Sequence, residues 1–202
     1  MLRIITDFDG PIIDVSPRYY HVYLHCLEET RYAGQLLYIL PKPEFWALKR
    51  ARVPERQIAK RSGLDDDQAK AFAKMRGRIV HSQSFLSHDQ LVPGAIATLE
   101  RIQASAIDLA VMTMRHTCEL EAAFQQYDLA RFFAPDRRYC LDDGYTKVAD
   151  VHDKPNMMQQ ALAELPPASL TWMIGDTEAD IAAAKQYDIP HIAVLSGIRD
   201  RQ

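Results

Sequence analysis

Leu2-Arg3-Ile4-Ile5-Thr6-Asp7-Phe8-Asp9-Gly10-Pro11-Ile12-Ile13-Asp14 decides how this chain is read. Residues 2–6 are mostly apolar and β-branched, the composition of a short buried strand. The run stops at two acids separated by one aromatic and followed by Gly-Pro, so the carboxylates stand where a strand ends and the backbone turns. In an open α/β sheet, ligands bind at that carboxyl end. Residues i and i+2 of an extended segment point the same way. Two like charges held together and partly dehydrated are costly unless a cation lies between them or one keeps its proton. The stretch therefore reads as a cation site built around an acid able to act as a nucleophile.

Downstream the pattern changes. Ser16-Pro17 reads as an N-cap followed by proline at the first helical position. Residues 16–90 keep helical spacing, with breaks at Pro41, Pro43, Pro54 and Gly63 and no clear strand, which predicts a small helical insert. After Val92-Pro93-Gly94, strands and helices alternate. A helix is expected over 94–105 with Ile96, Leu99 and Ile102 facing inward, then a strand from Ile107 to Met112 ending at Thr113. A helix follows over 116–127, and a short strand near Tyr139-Cys140-Leu141. Pro155 is expected to open a helix that runs to Glu164. Leu170–Ile174 is the next strand, ending at Gly175-Asp176, and a helix through 182–184 leads to a last strand over 191–195. This order predicts an α/β fold, a Rossmann-like parallel sheet covered on both faces.

The totals narrow the function classes. The 202 residues suffice for one core plus a small accessory domain. A net charge of −3 carries no electrostatic footprint for nucleic acid. No apolar run approaches membrane-spanning length and no signal-peptide pattern opens the chain, so neither membrane nor export is expected. Cys26, Cys118 and Cys140 are odd in number and outside any CxxC pair, which suits a reducing cytoplasm. Nothing in the pattern reads out an oligomeric state.

Four strand-end motifs then occur in order. Asp7-Phe8-Asp9-Gly10-Pro11-Ile12-Ile13-Asp14 resembles the first motif of the haloacid dehalogenase (HAD) superfamily, in its C1-capped phosphatase branch. Val111-Met112-Thr113 is similar to the second, Lys154-Pro155 to the third, and Gly175-Asp176-Thr177-Glu178-Ala179-Asp180 to the fourth. The resemblance implies a core over 1–15 and 91–202, with a helical C1 cap over 16–90 above the carboxyl edge. It implies magnesium-dependent hydrolysis of a small phosphorylated metabolite. Asp7 would be the nucleophile, and Asp9 would protonate the leaving oxygen and later deprotonate water. Mg2+ would be held by the Asp7 carboxylate, the Asp9 main-chain carbonyl and Asp176, with Asp180 orienting that shell or reaching the ion through water. Thr113, the Met114 amide and Gly10 would bind phosphoryl oxygens, and Lys154 would neutralise their charge. Dehalogenase members lack an acid at the position of Asp9, so its presence points to an oxygen leaving group. Pro11 departs from the threonine or valine of most relatives, fixing φ and removing one amide donor from the turn.

Other readings stay open beside this one. A sugar phosphomutase would use the same nucleophile and return the phosphoryl group to a hydroxyl. A non-catalytic binding protein could keep the fold, though intact Asp7, Asp9, Lys154 and Asp176 argue against it. A phospho-acceptor receiver domain also uses Asp, Thr and Lys, but its accepting acid follows a later strand. Arg50 on the insert, and Arg115 and His116 after Thr113, are candidates for touching substrate. His21 and His25 share a helical face, without the third ligand a zinc site needs.

Overall fold

The computed structural model describes residues 1–200. The chain begins with β1 (Leu2–Thr6) and a two-residue β2 (Ile13–Asp14). Five helices follow: α1 (Ser16–Thr30), α2 (Lys42–Arg50), α3 (Glu55–Arg61), α4 (Asp66–Ile79) and α5 (Gln83–Leu86). Then come β3 (Gln90–Leu91), α6 (Ala95–Gln103), β4 (Ile107–His116), α7 (Thr117–Tyr127) and β5 (Arg138–Leu141). The chain continues through α8 (Asp150–Glu164), β6 (Leu170–Gly175), α9 (Glu178–Gln186) and β7 (His191–Ala193). These elements form two compact units, residues 1–14 with 91–197, and residues 15–90 with 198–200. No helix among the described residues is long and apolar enough to cross a membrane.

The first unit is a five-stranded parallel sheet in the order β5-β4-β1-β6-β7. β1 lies at its centre, with Ile5 opposite Ala110 on one side and Met173 on the other. Those three side chains and Met112 share one buried cluster with Met157, Met158 and Ala161 of α8 and Ala183 and Ala184 of α9. Alternation puts Leu109 and Val111 of β4 on the opposite face, and they are buried too. A strand buried on both faces has the continuous apolar sequence seen here, which is why β1, β4 and β6 are legible. Burying each such side chain contributes about 1.5–3 kcal/mol.

Four boundaries differ from the sequence expectation. β4 does not end at Thr113 but runs on to His116, because His116 still pairs with Leu141 beyond a register shift. Pro155 lies inside α8 rather than opening it. The turn ahead of it is held by Asp153, whose Oδ2 accepts from the Val148 and Ala149 amides and whose Oδ1 accepts from the Tyr145 hydroxyl. Lys154 is therefore a helical residue. β7 stops at Ala193, two residues early, and Ser16 is the first residue of α1, with Val15 as its N-cap.

In the second unit, α1 contributes Val22, Tyr23, Cys26 and Leu27 to a core with Leu40, Phe45, Ile58 and Phe72. The Tyr23 hydroxyl is paired with Ser62 Oγ at 2.7 Å and accepts from the Leu40 amide, so this buried aromatic leaves no polar atom stranded. Pro41 and Pro54 do break the chain as expected, standing as the N-caps of α2 and α3. Arg18 and Asp89 form a wholly buried ion pair at 3.0 Å, tying the first turn of α1 to the residue before Gln90. His21 stacks face to face on His88, with ring centroids 3.9 Å apart, a geometry that does not converge two nitrogens on a metal.

Candidate active site

Asp7 is placed by the centre of the sheet. Its amide donates to the Ile174 carbonyl at 2.7 Å, extending the β1–β6 ladder one residue beyond the strand. The carboxylate is then fixed twice: Oδ1 accepts from the Phe8 amide at 2.7 Å, and Oδ2 lies 3.0 Å from Lys154 Nζ. Lys154 reaches it from α8 and also meets Asp180 Oδ1 at 2.5 Å, with both residues fully buried. Asp180 starts from the first turn of α9. Its Oδ2 accepts from the Asp176 and Thr177 amides at 3.1 and 2.9 Å and from the Thr177 hydroxyl at 2.8 Å, closing a capping box. Asp180 thus braces the turn that carries Asp176.

Oxygens of Asp7, Asp176 and Asp180 lie within 4.8 Å of one another, all three residues buried. Burial raises the Asp7 carboxyl well above the ordinary carboxylate range. Asp180, Asp9 and Asp176 push it further up, and Lys154 alone pulls it down. For Lys154, burial acts to lower the pKa, but Asp180 and Asp7 outweigh it and hold the ammonium charged. The cluster therefore gathers more negative charge than its one lysine balances.

Backbone without side chains surrounds Asp176. Gly10 has φ of +98°, and a Cβ there would lie 2.6 Å from Asp176 Cγ. A Cβ on Gly197 would fall 1.9 Å from Asp176 Oδ2. Ser196, the preceding residue, donates from Oγ to the Gly10 carbonyl at 2.7 Å, so the 196–197 turn packs on the turn after β1. The turn from Phe8 to Ile13 is closed by the Ile12 and Ile13 amides donating to the Phe8 carbonyl and Gly10 N donating to Ile13, none of which needs a donor from Pro11.

Thr113 is buried on β4, its hydroxyl accepting from the Arg115 amide at 3.2 Å, and Met114 beside it is half-buried. Arg115 is neither a solvated helix start nor exposed. It is 2 % exposed, and its Nε and Nη2 stand 2.9 and 2.7 Å from Asp9 Oδ1. His116 is the N-cap of α7, its Nδ1 2.9 Å from the Asp142 carbonyl. Arg50 belongs to the second unit, where it donates to the Arg199 carbonyl and pairs with Asp200 at 2.5 Å. The structure thus gathers Asp7, Asp9, Gly10, Thr113, Lys154, Asp176 and Asp180 in the first unit, and gives Arg50 and His116 local partners of their own.

Sequence reading missed two supporting residues, Asp153 and Gly197, and one pairing, that of Arg115 with Asp9. Asp153 carries a signal, an acid just before a Lys-Pro pair, that marks a local cap. Gly197 carries only the weaker signal of a glycine after the last strand. The partner of Arg115 is 106 positions away and left no local trace.

The family model for haloacid dehalogenase-like hydrolases matches residues 2–188. A phosphoglycolate phosphatase of Synechococcus elongatus is 24% identical over 205 residues, covering 100% of this chain and 87% of its own. A haloacid dehalogenase-like hydrolase of Streptococcus pneumoniae superposes with a TM-score of 0.66 at 21% identity, covering 98% of this chain and 87% of its own. A HAD-superfamily hydrolase of subfamily IA from Geobacter sulfurreducens gives 0.68 at 17%, covering 96% and 86%. The four ordered motifs, the parallel sheet and a match across nearly the whole length agree, and this chain belongs to the haloacid dehalogenase-like hydrolases.

Proposed function

We propose that this protein is a phosphatase that hydrolyses small phosphomonoesters with Mg2+, through an aspartyl phosphate on Asp7. The observation that carries this is the buried Asp7 carboxylate at the tip of the central strand, paired to Lys154 and within 4.8 Å of Asp176 and Asp180. The donor set fits magnesium. It is all oxygen, it holds an excess of buried negative charge, and glycine backbone leaves room only for the Asp176 carboxylate itself. Asp7, Asp176 and the Asp9 carbonyl would hold the ion, with Asp180 bracing Asp176. Bound there, it would supply positive charge to the phosphoryl oxygens.

The chain's own residues account for the remaining chemistry. Asp7 attacks phosphorus as the bond to the leaving oxygen breaks, and Asp9 delivers the proton that this oxygen takes up. Water then attacks phosphorus, Asp9 accepts its proton, and inorganic phosphate leaves with the Asp7 carboxylate restored. Lys154, the Thr113 hydroxyl and the Met114 amide stabilise the equatorial oxygens in both steps. The relative named phosphoglycolate phosphatase makes phosphorylated carboxylic acids the first substrates to try. We place the protein in the cytoplasm, a reading supported by three free cysteines.

The test is a panel of phosphorylated metabolites, 2-phosphoglycolate among them, assayed for released phosphate with magnesium and with chelator. Asp7→Asn should abolish release on every substrate. An unchanged rate in that variant would reject the assignment.

A further inference from the structure

Three buried or half-buried arginine–aspartate pairs stand out, and one differs from the others. Arg3–Asp108 and Arg18–Asp89 bury both partners, at 2 % and 9 % exposure and at 0 % and 1 %. Such pairs neutralise charges that the fold has already enclosed. Arg115–Asp9 buries the cation to 2 % but leaves the carboxylate 30 % exposed. A pair serving packing alone has no reason to keep its acid at the surface while sinking its guanidinium.

The guanidinium is immobilised from several directions. It lies over the Phe8 ring, 5.0 Å from the centroid, and Phe8 is itself fully buried against Phe124. Its own amide is bonded to the Thr113 hydroxyl. Thr113 and Arg115 both lie in the stretch of β4 between Met112 and His116 where its pairing with β5 shifts register, a place where a strand re-aims its side chains. Both Nε and Nη2 converge on the same oxygen, Oδ1 of Asp9, which fixes the direction in which the carboxylate points.

We propose that Arg115 is the positioning residue of Asp9, a rigid fork from β4 that aims the exposed carboxylate at the leaving oxygen and then at the attacking water. This rests on the acid–base role of Asp9 proposed above. A misplacement of about 1 Å in a reacting group can cost 10²-fold in rate. Loss of the fork should therefore appear in kcat, with substrate binding preserved.

The experiment is a double-mutant cycle of Asp9→Asn with Arg115→Gln on the full-length protein with magnesium. It uses p-nitrophenyl phosphate, whose good leaving group keeps the residual rate of Asp9→Asn measurable, and the best alkyl phosphomonoester from the panel. Arg115→Gln should lower kcat on the alkyl ester by about 10- to 100-fold with KM changed less than about threefold. In the Asp9→Asn background the same substitution should change the rate less than about threefold, because its effect passes through Asp9. Arg115→Lys, which restores the charge without the fork, should recover only part of the loss and serves if the glutamine variant folds poorly. A raised KM with unchanged kcat would make Arg115 a substrate contact, and equal losses in both backgrounds would make it independent of Asp9. Either result overturns the proposal. If Asp9→Asn alone keeps the wild-type rate on the alkyl ester, the role given to Asp9 fails instead, so the two failures are distinguishable.

Discussion

Gly197→Ala tests whether Asp176 is the carboxylate that the site is built around. A Cβ at residue 197 would lie 1.9 Å from Asp176 Oδ2, 2.2 Å from Cγ and 2.7 Å from Cβ. Ordinary contact begins at 3.4 Å, so the overlap with Oδ2 is 3.4 − 1.9 = 1.5 Å. A Cβ on Gly10 would likewise fall 2.6 Å from Asp176 Cγ, so the carboxylate is bordered by glycine on that side too. The φ of Gly197 lies outside the left-handed region, so alanine meets no backbone strain there and the effect is one of space alone. Overpacking of this kind costs about 1–3 kcal/mol of stability, which the fold should survive. A displacement beyond 1 Å at a reacting centre corresponds to about 10²-fold in rate, or about 2.7 kcal/mol of barrier.

The assay is initial phosphate release across a magnesium titration, with thermal melting followed by circular dichroism. Gly197→Ala should lower kcat/KM by about 100-fold or more and shift half-saturation to higher magnesium, while the protein stays folded. Gly144→Ala is the control, because a Cβ there has nothing within 4 Å. A folded Gly197→Ala protein with wild-type turnover and an unchanged magnesium midpoint would refute the placement of Asp176 in the site.

Magnesium should also stabilise the fold, and more at neutral than at acid pH. Asp7 has a raised folded pKa, so its unfavourable charging is absent below the ordinary value of 3.8 and grows as pH rises, and a cation relieves it. Melting with and without chelator at two pH values checks this, and an equal magnesium shift at both would count against it. Asp108 works in the opposite sense. Burial would raise its carboxyl, but Arg137 and Arg3 more than offset this and hold it below 3.8. Its contribution is therefore present above that value and is lost as pH falls through the lower folded pKa, so Asp108→Asn should flatten the acid limb of urea stability. Asp89→Asn removes the charge that Asp89 sets against the buried Arg18 guanidinium and should cost about 3–5 kcal/mol in urea unfolding, most of it recovered by replacing both residues with apolar ones of similar size.

Much of the fold is written locally. β1, β4 and β6 are apolar runs that end at polar tips, and because the strands are parallel those tips share one edge. Asp7 and Asp176 could therefore be brought together on paper. Lys154 was assigned to the same edge, yet from the wrong local structure, because proline usually opens a helix and here Asp153 adds a turn ahead of it. Ile192 shows the same limit from the other side: the last apolar run promised five strand residues, but an edge strand with one neighbour keeps only three.

Arg115 marks where local reading stops. Asp9 follows β1 and Asp108 lies within β4, and both meet an arginine at 2.7 Å. The Gly10-Pro11 turn marks Asp9 as a strand-end acid, but no flanking residue separates the two ion pairs, since composition and spacing describe one strand at a time and an ion pair belongs to two. What separates them is depth, 9 % exposure for Asp108 and 30 % for Asp9, and depth is set by which end of the sheet each occupies. Asp108 lies opposite Arg3, near the start of the parallel strands, where enclosure makes charge neutrality the only requirement. Asp9 lies past their far end, among the carboxylates of Asp7 and Asp176, where an acid held in place but open to solvent can exchange a proton. On the mechanism proposed above, the same pair of residue types is a brace at one edge and a working group at the other.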